Sequence, residues 1–270
     1  MQELNLQDIL QNTSNLNEKK VGYVAIIWRP NTGKSTFVNT LIGEKISITT
    51  NVPQTTRNKI LAIFNDSESQ IIFFDTPGIH ESAKDFNKEI NSQAISSLRE
   101  AEVILYFIDS SRSKGSEEEY IEKILDNVHA PVFRVYTKID MPAKIDIPSG
   151  ENIFHISSYE ERGFDELMLS IKERLPIWPT LFPEDYYTKQ NIHFRISEIV
   201  REKLFLELKE ELPHSVFVAV EEIEDDEKGM KKISAYIYAE TDSQKYIIIG
   251  KWGSLLTKVW KNARIELEQV

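Results

Sequence analysis

Residues 28–35 have the sequence WRPNTGKS and directly follow the apolar run 23–27 (YVAII). Apart from its first residue, this stretch matches the phosphate-binding pattern G-x-x-x-x-G-K-S. In such a loop successive backbone N–H groups surround phosphate oxygens, and the N-terminus of the following helix adds its dipole. We therefore predict a strand, a phosphate loop and a helix in this order, as at the start of a nucleotide-binding α/β domain.

The two residues at the end of this loop have distinct predicted roles. Lys34 is expected to reach the β- and γ-phosphates of a nucleotide, and the Ser35 hydroxyl is expected to hold magnesium. The predicted nucleotide contacts in the loop are Trp28, Arg29, Pro30, Asn31, Thr32, Gly33, Lys34 and Ser35.

A second motif, DTPG, follows the apolar run 71–74 (IIFF). Asp75 is predicted to hold magnesium through water, and the Gly78 N–H is predicted to meet the γ-phosphate. Thr76 and Pro77 complete the motif. A D-x-x-G sequence by itself is equally consistent with a plain turn, so this prediction depends on the phosphate loop upstream.

A third motif, TKID, follows the apolar run 132–136. Its Asp140 can accept two hydrogen bonds from N1 and N2 of guanine, a donor pair that adenine does not offer. Lys138 is predicted to pack its stem over the base, and Thr137 and Ile139 complete the motif. The alternative is an ordinary solvated Lys–Asp loop. Three such motifs at the ends of three strands, in this order, favour a guanine nucleotide site.

The next apolar run, 153–156, precedes Ser157 and Ser158. Because these serines follow the strand next along the chain from TKID, we predict that their backbone N–H groups contact the oxygen of the base.

The chain alternates strand-like and helix-like patterns up to about residue 175, which predicts a doubly wound α/β domain. Strands are predicted at 23–27, 71–74, 103–108, 132–136 and 153–156, and helices at 87–100, 117–127 and 164–175. Pro176, Pro179 and Pro183 then predict an interdomain linker. The predicted divisions are a polar extension (1–20), a nucleotide-binding domain (21–178), a linker (179–190) and a smaller α+β domain (191–270).

The second domain is predicted to contain a helix over 191–211, strands over 215–222 and 231–240, a short strand over 246–249 and a final helix. Before that helix stands GKWG (250–253), which fits the GXXG loop with which KH domains clamp about four nucleotides of RNA. The predicted RNA contacts are Gly250, Lys251, Trp252, Gly253 and Lys258. The alternative for the lysines is a solvated helix face.

Composition excludes several classes of function. The chain has 270 residues, a net charge of −11 and no cysteine, so disulfides, thiol catalysis and cysteine-bound zinc are excluded. The acidic balance argues against a broad nucleic-acid surface, but residues 245–270 carry five Lys or Arg against two Glu. The polar N-terminus does not resemble a secretory signal, so we expect a cytoplasmic protein.

The motif order WRPNTGKS, QTTR, DTPG, TKID and ISS, followed by YIIIGKWG, resembles the bacterial Era GTPase family over about residues 21–270. This resemblance implies a GTP-hydrolysing ribosome assembly factor that binds small-subunit ribosomal RNA near its 3′ end. It also implies a monomer in the cytoplasm, with peripheral contact to the inner membrane. The family's KH domain continues into one more strand, so the domain is expected to be incomplete in this sequence.

The resemblance also assigns roles to single residues. Thr56, rather than Thr55, matches the switch threonine that ligates magnesium, and Lys34, Thr56 and Gly78 are the implied catalytic residues. Ile79 stands where Ras-like enzymes carry a water-orienting glutamine, so slow intrinsic hydrolysis is expected. Related GTPases with an apolar residue there use K⁺, held partly by an asparagine that Asn31 matches; the alternative is that Asn31 only stabilises the loop.

The four tryptophans of the chain, Trp28, Trp178, Trp252 and Trp260, all stand where the family carries glycine. The codon UGA differs from a glycine codon by one base, and some bacterial lineages read UGA as glycine. We therefore hypothesise that these positions are glycine in the natural protein. The alternative is a diverged, non-hydrolysing pseudo-GTPase that binds RNA. A P-loop GTPase of similar layout that serves tRNA modification is a third hypothesis, against which the KH-like tail argues.

Overall fold

The computed structural model describes residues 18–43, 60–75, 98–184, 186–188, 192–208, 216–225 and 230–268. They form an α/β domain followed by a smaller α+β domain. The elements in chain order are β1 (Glu18–Trp28), α1 (Lys34–Ile42), β2 (Ile60–Asn65), β3 (Ser69–Asp75), β4 (Val103–Asp109), α2 (Ser116–Leu125), β5 (Val132–Thr137), β6 (Ile153–His155), α3 (Phe164–Arg174), β7 (Ile177–Pro179), α4 (Ile192–Glu207), β8 (Phe217–Asp225), β9 (Lys231–Tyr238), α5 (Asp242–Ile249) and α6 (Ser254–Leu267).

The first domain contains a mostly parallel sheet with strand order β2-β3-β1-β4-β5-β6. Strand β2 is antiparallel to β3, and β7 pairs in antiparallel fashion with the start of β1. Helices α1 and α3 pack on one face of the sheet and α2 packs on the other. All seven residues of the central strand β4 are buried, because a parallel strand is covered on both faces. The predicted doubly wound domain is thus confirmed.

Strands β2 and β7 were not predicted from the sequence. Strand β7 has only three residues and lies within the proline-rich segment, where local pattern favours irregular structure. The segment that follows it is held along the α/β domain. The Gln70 side chain accepts bonds from the Leu181 and Phe182 N–H groups at 2.7 and 2.9 Å, and Ile63 N–H donates to Tyr187 O at 2.9 Å. The connection between the domains therefore runs along the edge of the first domain.

The second domain has its own apolar core, formed by α4, the β8–β9 hairpin, α5 and α6. The predicted short strand over 246–249 is wrong, since these residues belong to helix α5. The Thr241 hydroxyl accepts a bond from the Gln244 N–H, and the Gln244 side chain accepts one from the Thr241 N–H, which is a capping box. The run of isoleucines favours a strand locally, but the cap starts a helix.

The N-terminal extension (1–17 of the predicted 1–20) and residues 87–97 of the predicted helix lie outside the described residues, whereas residues 98–100 are helical. Among the helices that are described, none has the length and apolar character that a membrane span requires.

Candidate functional site

The strands that lead into the predicted nucleotide motifs end at one edge of the main sheet. Strand β1 ends at Trp28, β3 at Asp75 and β5 at Thr137, and β1 is parallel to β3 and β4, and β4 to β5. The carboxyl ends of these strands therefore face the same side, which is where ligands bind in open α/β sheets.

The phosphate loop has a backbone suited to anions. Asn31 and Gly33 have φ values of 68° and 88°, whereas Thr32 between them is not among the described residues with positive φ. A backbone that alternates between left-handed and right-handed conformations directs successive N–H groups into one concavity. Helix α1 starts at Lys34 without a side-chain cap on its N-terminus, and the buried Thr32 hydroxyl has no hydrogen-bond partner. These features fit a phosphate group at the loop.

The Thr137 side chain connects the base-binding motif to the phosphate loop. Its hydroxyl, which is buried, donates to Thr32 O at 2.7 Å. The Lys138 ammonium donates to Asn31 O, also at 2.7 Å. The family pattern has asparagine at position 137, and here a threonine hydroxyl makes the bond to Thr32 O.

The Asp140 carboxylate is exposed at the edge of the sheet, and its orientation is set by a neighbour. The Ser157 hydroxyl donates to Asp140 Oδ1 at 2.6 Å. The predicted base contact by the Ser157 N–H is not supported, because that N–H donates to Arg162 O at 3.0 Å. Ser157 therefore orients Asp140. Ser158 is half-buried beside it, and its base contact stays a prediction, as does that of Ile139.

Lys34 and Trp28 pack against each other. The Lys34 ammonium lies 3.6 Å from the centroid of the Trp28 ring, a cation–π distance. The two side chains are 3% and 6% exposed. Burial lowers the pKa of Lys34 well below its ordinary value, because a charged ammonium is disfavoured away from water. Trp28 thus contacts the lysine that is predicted to bind phosphate.

Arg29 turns its side chain toward the start of helix α2. Its guanidinium forms ion pairs with Glu117 and with Glu118, the latter at 3.0 Å. Burial lowers the pKa of Arg29, but its bonds and ion pairs with the two carboxylates outweigh this and raise it. The Arg29 side chain therefore interacts with α2, and only the Arg29 backbone remains a candidate phosphate contact.

The remaining predicted nucleotide and metal residues are described in part. Ser35 is half-buried in the first turn of α1, and the backbone of Asp75 ends β3 beside Ile26 of β1. Both therefore stay predicted magnesium ligands. The others, which lie outside the described residues, are Thr55, Thr56, Thr76, Pro77, Gly78 and Ile79.

The GKWG sequence forms a tight turn between helices α5 and α6. Gly250 has φ of 72°, and an added Cβ would lie 2.9 Å from the Leu255 backbone N. Gly253 has φ of 76° and precedes the first turn of α6. Lys251 and Trp252 are exposed at the tip, with Trp252 95% exposed. The turn therefore exposes its two middle residues, as a GXXG loop does.

Lys258, the fifth predicted RNA contact, lies one turn into α6. Its ammonium is 2.7 Å from Glu207 of helix α4, and its side chain is 61% exposed. A phosphate at this place would share the lysine with Glu207.

The four tryptophans occupy different environments. Trp252 has φ of 58° and ψ of 29°, a left-handed conformation that favours glycine. Trp28 ends a strand and is not among the described residues with positive φ, so glycine is not required there by backbone conformation. Trp178 is 59% exposed in β7, and Trp260 packs against the core of the second domain. The conformational argument for glycine therefore holds at position 252 and not at position 28.

Sequence reasoning missed residues at and after the end of β4 that support the loop, either directly or through Thr137 and Lys138. They are Asp109, Ser110, Arg112, Glu117 and Glu118. One signal was present, since Asp109 is the polar residue that ends a wholly buried strand at the ligand-binding edge.

The chain matches known proteins over both domains. Residues 23–138 match the family model of the 50S ribosome-binding GTPase, and residues 211–270 match the KH domain. The GTPase Era of Lacticaseibacillus paracasei is 39% identical over 265 residues, which are 94% of this chain and 88% of that protein. The GTPase Era of Borrelia garinii is 41% identical over 261 residues, covering 93% and 90% of the two chains.

Solved structures agree in both domains. Era of Aquifex aeolicus bound to GDP and AlF4⁻ superposes with a TM-score of 0.84 at 37% identity, covering 93% of this chain and 89% of that one. Era in complex with MgGDPNP and nucleotides 1506–1542 of 16S ribosomal RNA gives a TM-score of 0.87 at 38% identity, with the same coverage. With a phosphate loop, a TKID motif and a GXXG turn in one chain, this similarity shows that the chain belongs to the Era GTPase family.

Proposed function

We propose that this chain binds and hydrolyses GTP and binds small-subunit ribosomal RNA near its 3′ end, as an assembly factor of the small ribosomal subunit. The observation that carries the proposal is the presence of two sites in one chain. The first is a phosphate loop tied to a guanine-selecting motif, and the second is a GXXG turn between two helices. The related Era bound to MgGDPNP and 16S ribosomal RNA supports it.

The nucleotide site requires magnesium in this proposal. Ser35, Thr56 and Asp75 would hold the ion, which neutralises charge on the β- and γ-phosphates. Lys34 and the loop N–H groups would bind the phosphates, and Asp140 would bind guanine. Thr56 and Gly78 would respond to the γ-phosphate.

Potassium is proposed as a second cation, held in part by Asn31. The Asn31 backbone adopts φ of 68° and its carbonyl is bound by Lys138, so the residue has a fixed place in the loop. Replacing K⁺ by Na⁺ in the assay buffer should lower the hydrolysis rate, and Asn31→Ala should remove the difference between the two salts. Equal rates in both salts would contradict this role.

The site of action is proposed from the family resemblance. We place the chain in the cytoplasm as a monomer that contacts the small ribosomal subunit, with peripheral contact at the inner membrane. Sedimentation with purified small subunits, with and without GTP, tests the first contact. Flotation with vesicles tests the second.

Two titrations test the central proposal. A fluorescent GTP analogue should bind and be displaced by GDP but not by ATP, and an RNA oligonucleotide with the 3′-terminal sequence of 16S ribosomal RNA should bind to the same protein. Equal displacement by GTP and ATP would contradict the nucleotide assignment. RNA binding unchanged in Lys251→Ala would contradict the assignment of the turn.

A second candidate function is an RNA-binding pseudo-GTPase, and one observation favours it. The phosphate-binding Lys34 is buried against the Trp28 ring instead of being presented at the loop surface. RNA binding without GTP binding, in a protein whose tryptophan at position 28 is verified by mass spectrometry, would select this function.

A further inference from the structure

The segment from the end of β4 to the first turn of α2 contains none of the guanine nucleotide motifs, yet it contacts the phosphate loop. We propose that this segment, 109–118, sets the shape of the phosphate loop, with Asp109 and Arg112 as its main positioning residues. The proposal rests on the proposed nucleotide function of the loop and adds a group of residues that determine its affinity.

Three successive carbonyl groups of the phosphate loop accept hydrogen bonds from side chains. Pro30 O accepts a bond from the Arg112 guanidinium at 3.2 Å. Asn31 O accepts from Lys138, and Thr32 O accepts from Thr137, both at 2.7 Å. All three donors belong to residues at or just after the ends of β4 and β5.

Peptide geometry turns these bonds into a constraint on the N–H groups. A trans peptide bond is planar, with its C=O and N–H pointing in opposite directions. Fixing the carbonyls of residues 30–32 therefore directs the N–H groups of Asn31, Thr32 and Gly33 to the opposite side of the loop. Those are the N–H groups that a phosphate would meet.

Asp109 fixes one of the three donors. Its side chain is 4% exposed and lies 2.7 Å from the Lys138 ammonium. Its other oxygen accepts from the Ser111 N–H and hydroxyl at 3.0 and 2.6 Å. With both oxygens bonded, the buried carboxylate has one position, and it holds the Lys138 ammonium against Asn31 O. Without it, the ammonium would be free to turn to water.

The start of helix α2 holds the loop from outside. Arg29 Nη1 donates to both carboxylate oxygens of Glu118, at 3.0 and 3.2 Å. One of them also accepts from the Gly115 N–H at 2.7 Å. The carboxylate is thus anchored on the first turn of its helix, and it restrains the residue before Pro30.

The test compares four variants with the unchanged protein. Two remove a bond, namely Asp109→Asn, which keeps the shape but removes the charge, and Arg112→Ala. Arg112→Lys is the conservative replacement, and Lys114→Ala, whose side chain is exposed, is the control in the same segment. The first two should raise the Kd for GDP and for GTP by about tenfold each, because hydrogen bonds to charged groups are the stronger class. Arg112→Lys should recover part of the affinity.

A measurement without nucleotide separates this proposal from the proposed function. Hydrogen exchange of the peptide covering 29–36 should become faster in Asp109→Asn and Arg112→Ala but not in Lys114→Ala, while the melting temperature stays within a few degrees. Unchanged exchange and unchanged Kd in both variants would overturn the proposal. A loss of affinity that follows a general loss of stability would also overturn it. A protein that binds no GTP but shows the exchange pattern would contradict the proposed function alone.

Discussion

The phosphate loop and the GKWG turn are both short polar connections before a helix, but they are held in opposite ways. The phosphate loop is fixed by side chains from distant parts of the chain, among them Arg112, Thr137 and Lys138. The GKWG turn is shaped by its own glycines, and its middle residues are exposed. A fixed loop suits the defined geometry of a phosphate group, whereas an open turn suits the extended backbone of a polymer.

The largest effect is expected at the base-binding side of the fixed loop. Asp140→Asn removes the acceptor pair for guanine N1 and N2. GTP affinity should fall by roughly two orders of magnitude or more, because each bond to a charged group contributes about 1.5–3 kcal/mol. Xanthosine triphosphate should gain affinity, since asparagine can donate to its O2. Competition titrations measure both, with the exposed Asp146→Asn as the matched control. Unchanged preference for GTP would remove Asp140 from the site.

The second largest effect is expected for Trp28→Gly, which frees the Lys34 ammonium from the indole. A desolvated cation–π pair contributes about 2 kcal/mol, and the cavity left by the indole offsets part of this free energy. GTP affinity should therefore rise on the order of tenfold. Trp178→Gly, at an exposed position in β7, serves as the control.

Mass spectrometry of the protein from its native source decides whether Trp28 and Trp252 are present at all. Glycine at both positions would confirm the codon hypothesis, and tryptophan at either position would refute it for that site.

The third prediction concerns the open turn. Lys251→Ala should weaken RNA binding several-fold. It should also reduce the slope of log K against log salt by about 0.7, the value for one phosphate contact on a single strand. The control is Lys245→Ala, an exposed lysine on the preceding helix. A loss of affinity with an unchanged salt slope would argue against a phosphate contact.

The fourth prediction uses the burial of Lys34. Its pKa is lowered in the folded protein, so above that pKa the unfolded chain binds more protons at this residue than the folded one does. Stability of the nucleotide-free protein should therefore rise with pH from the lowered pKa up to the ordinary lysine range. Lys34→Met should remove this part of the pH dependence, as measured by urea unfolding at several pH values. An identical pH profile in both proteins would contradict it.

The smallest effect is expected from Trp252→Gly. The left-handed conformation costs a residue other than glycine roughly 1–2 kcal/mol. Relieving this cost with glycine is partly offset, by roughly 0.5–1 kcal/mol, because glycine loses more conformational entropy on folding. Unfolding should therefore show a gain of up to about 1 kcal/mol in the second domain. Removing the 95% exposed indole should also bring RNA closer to the turn and raise its affinity. A loss of stability would show that the tryptophan makes a favourable contact.

The sequence predicted local features well where a pattern repeats or a motif is strict. The buried strands after which DTPG and TKID stand were found because buried parallel strands are nearly continuous apolar runs. The isoleucine run 247–249 led to a wrong prediction of a strand, because β-branched residues favour strands. The Thr241–Gln244 cap starts a helix instead, and such a cap is only a weak signal in the sequence. Strand β7 could not be predicted, since three residues acquire their structure only from pairing with β1.

Residue type and short spacing were enough to predict a phosphate loop before a helix, a carboxylate for guanine and a glycine-bounded turn for RNA. How the phosphate loop is held follows from the tertiary structure. Arg112 is 82 residues from Pro30 along the chain, and Lys138 is 107 residues from Asn31. These bonds form because the carboxyl ends of the parallel strands lie at one edge of the sheet. That proximity cannot be read from the spacing of the residues along the chain.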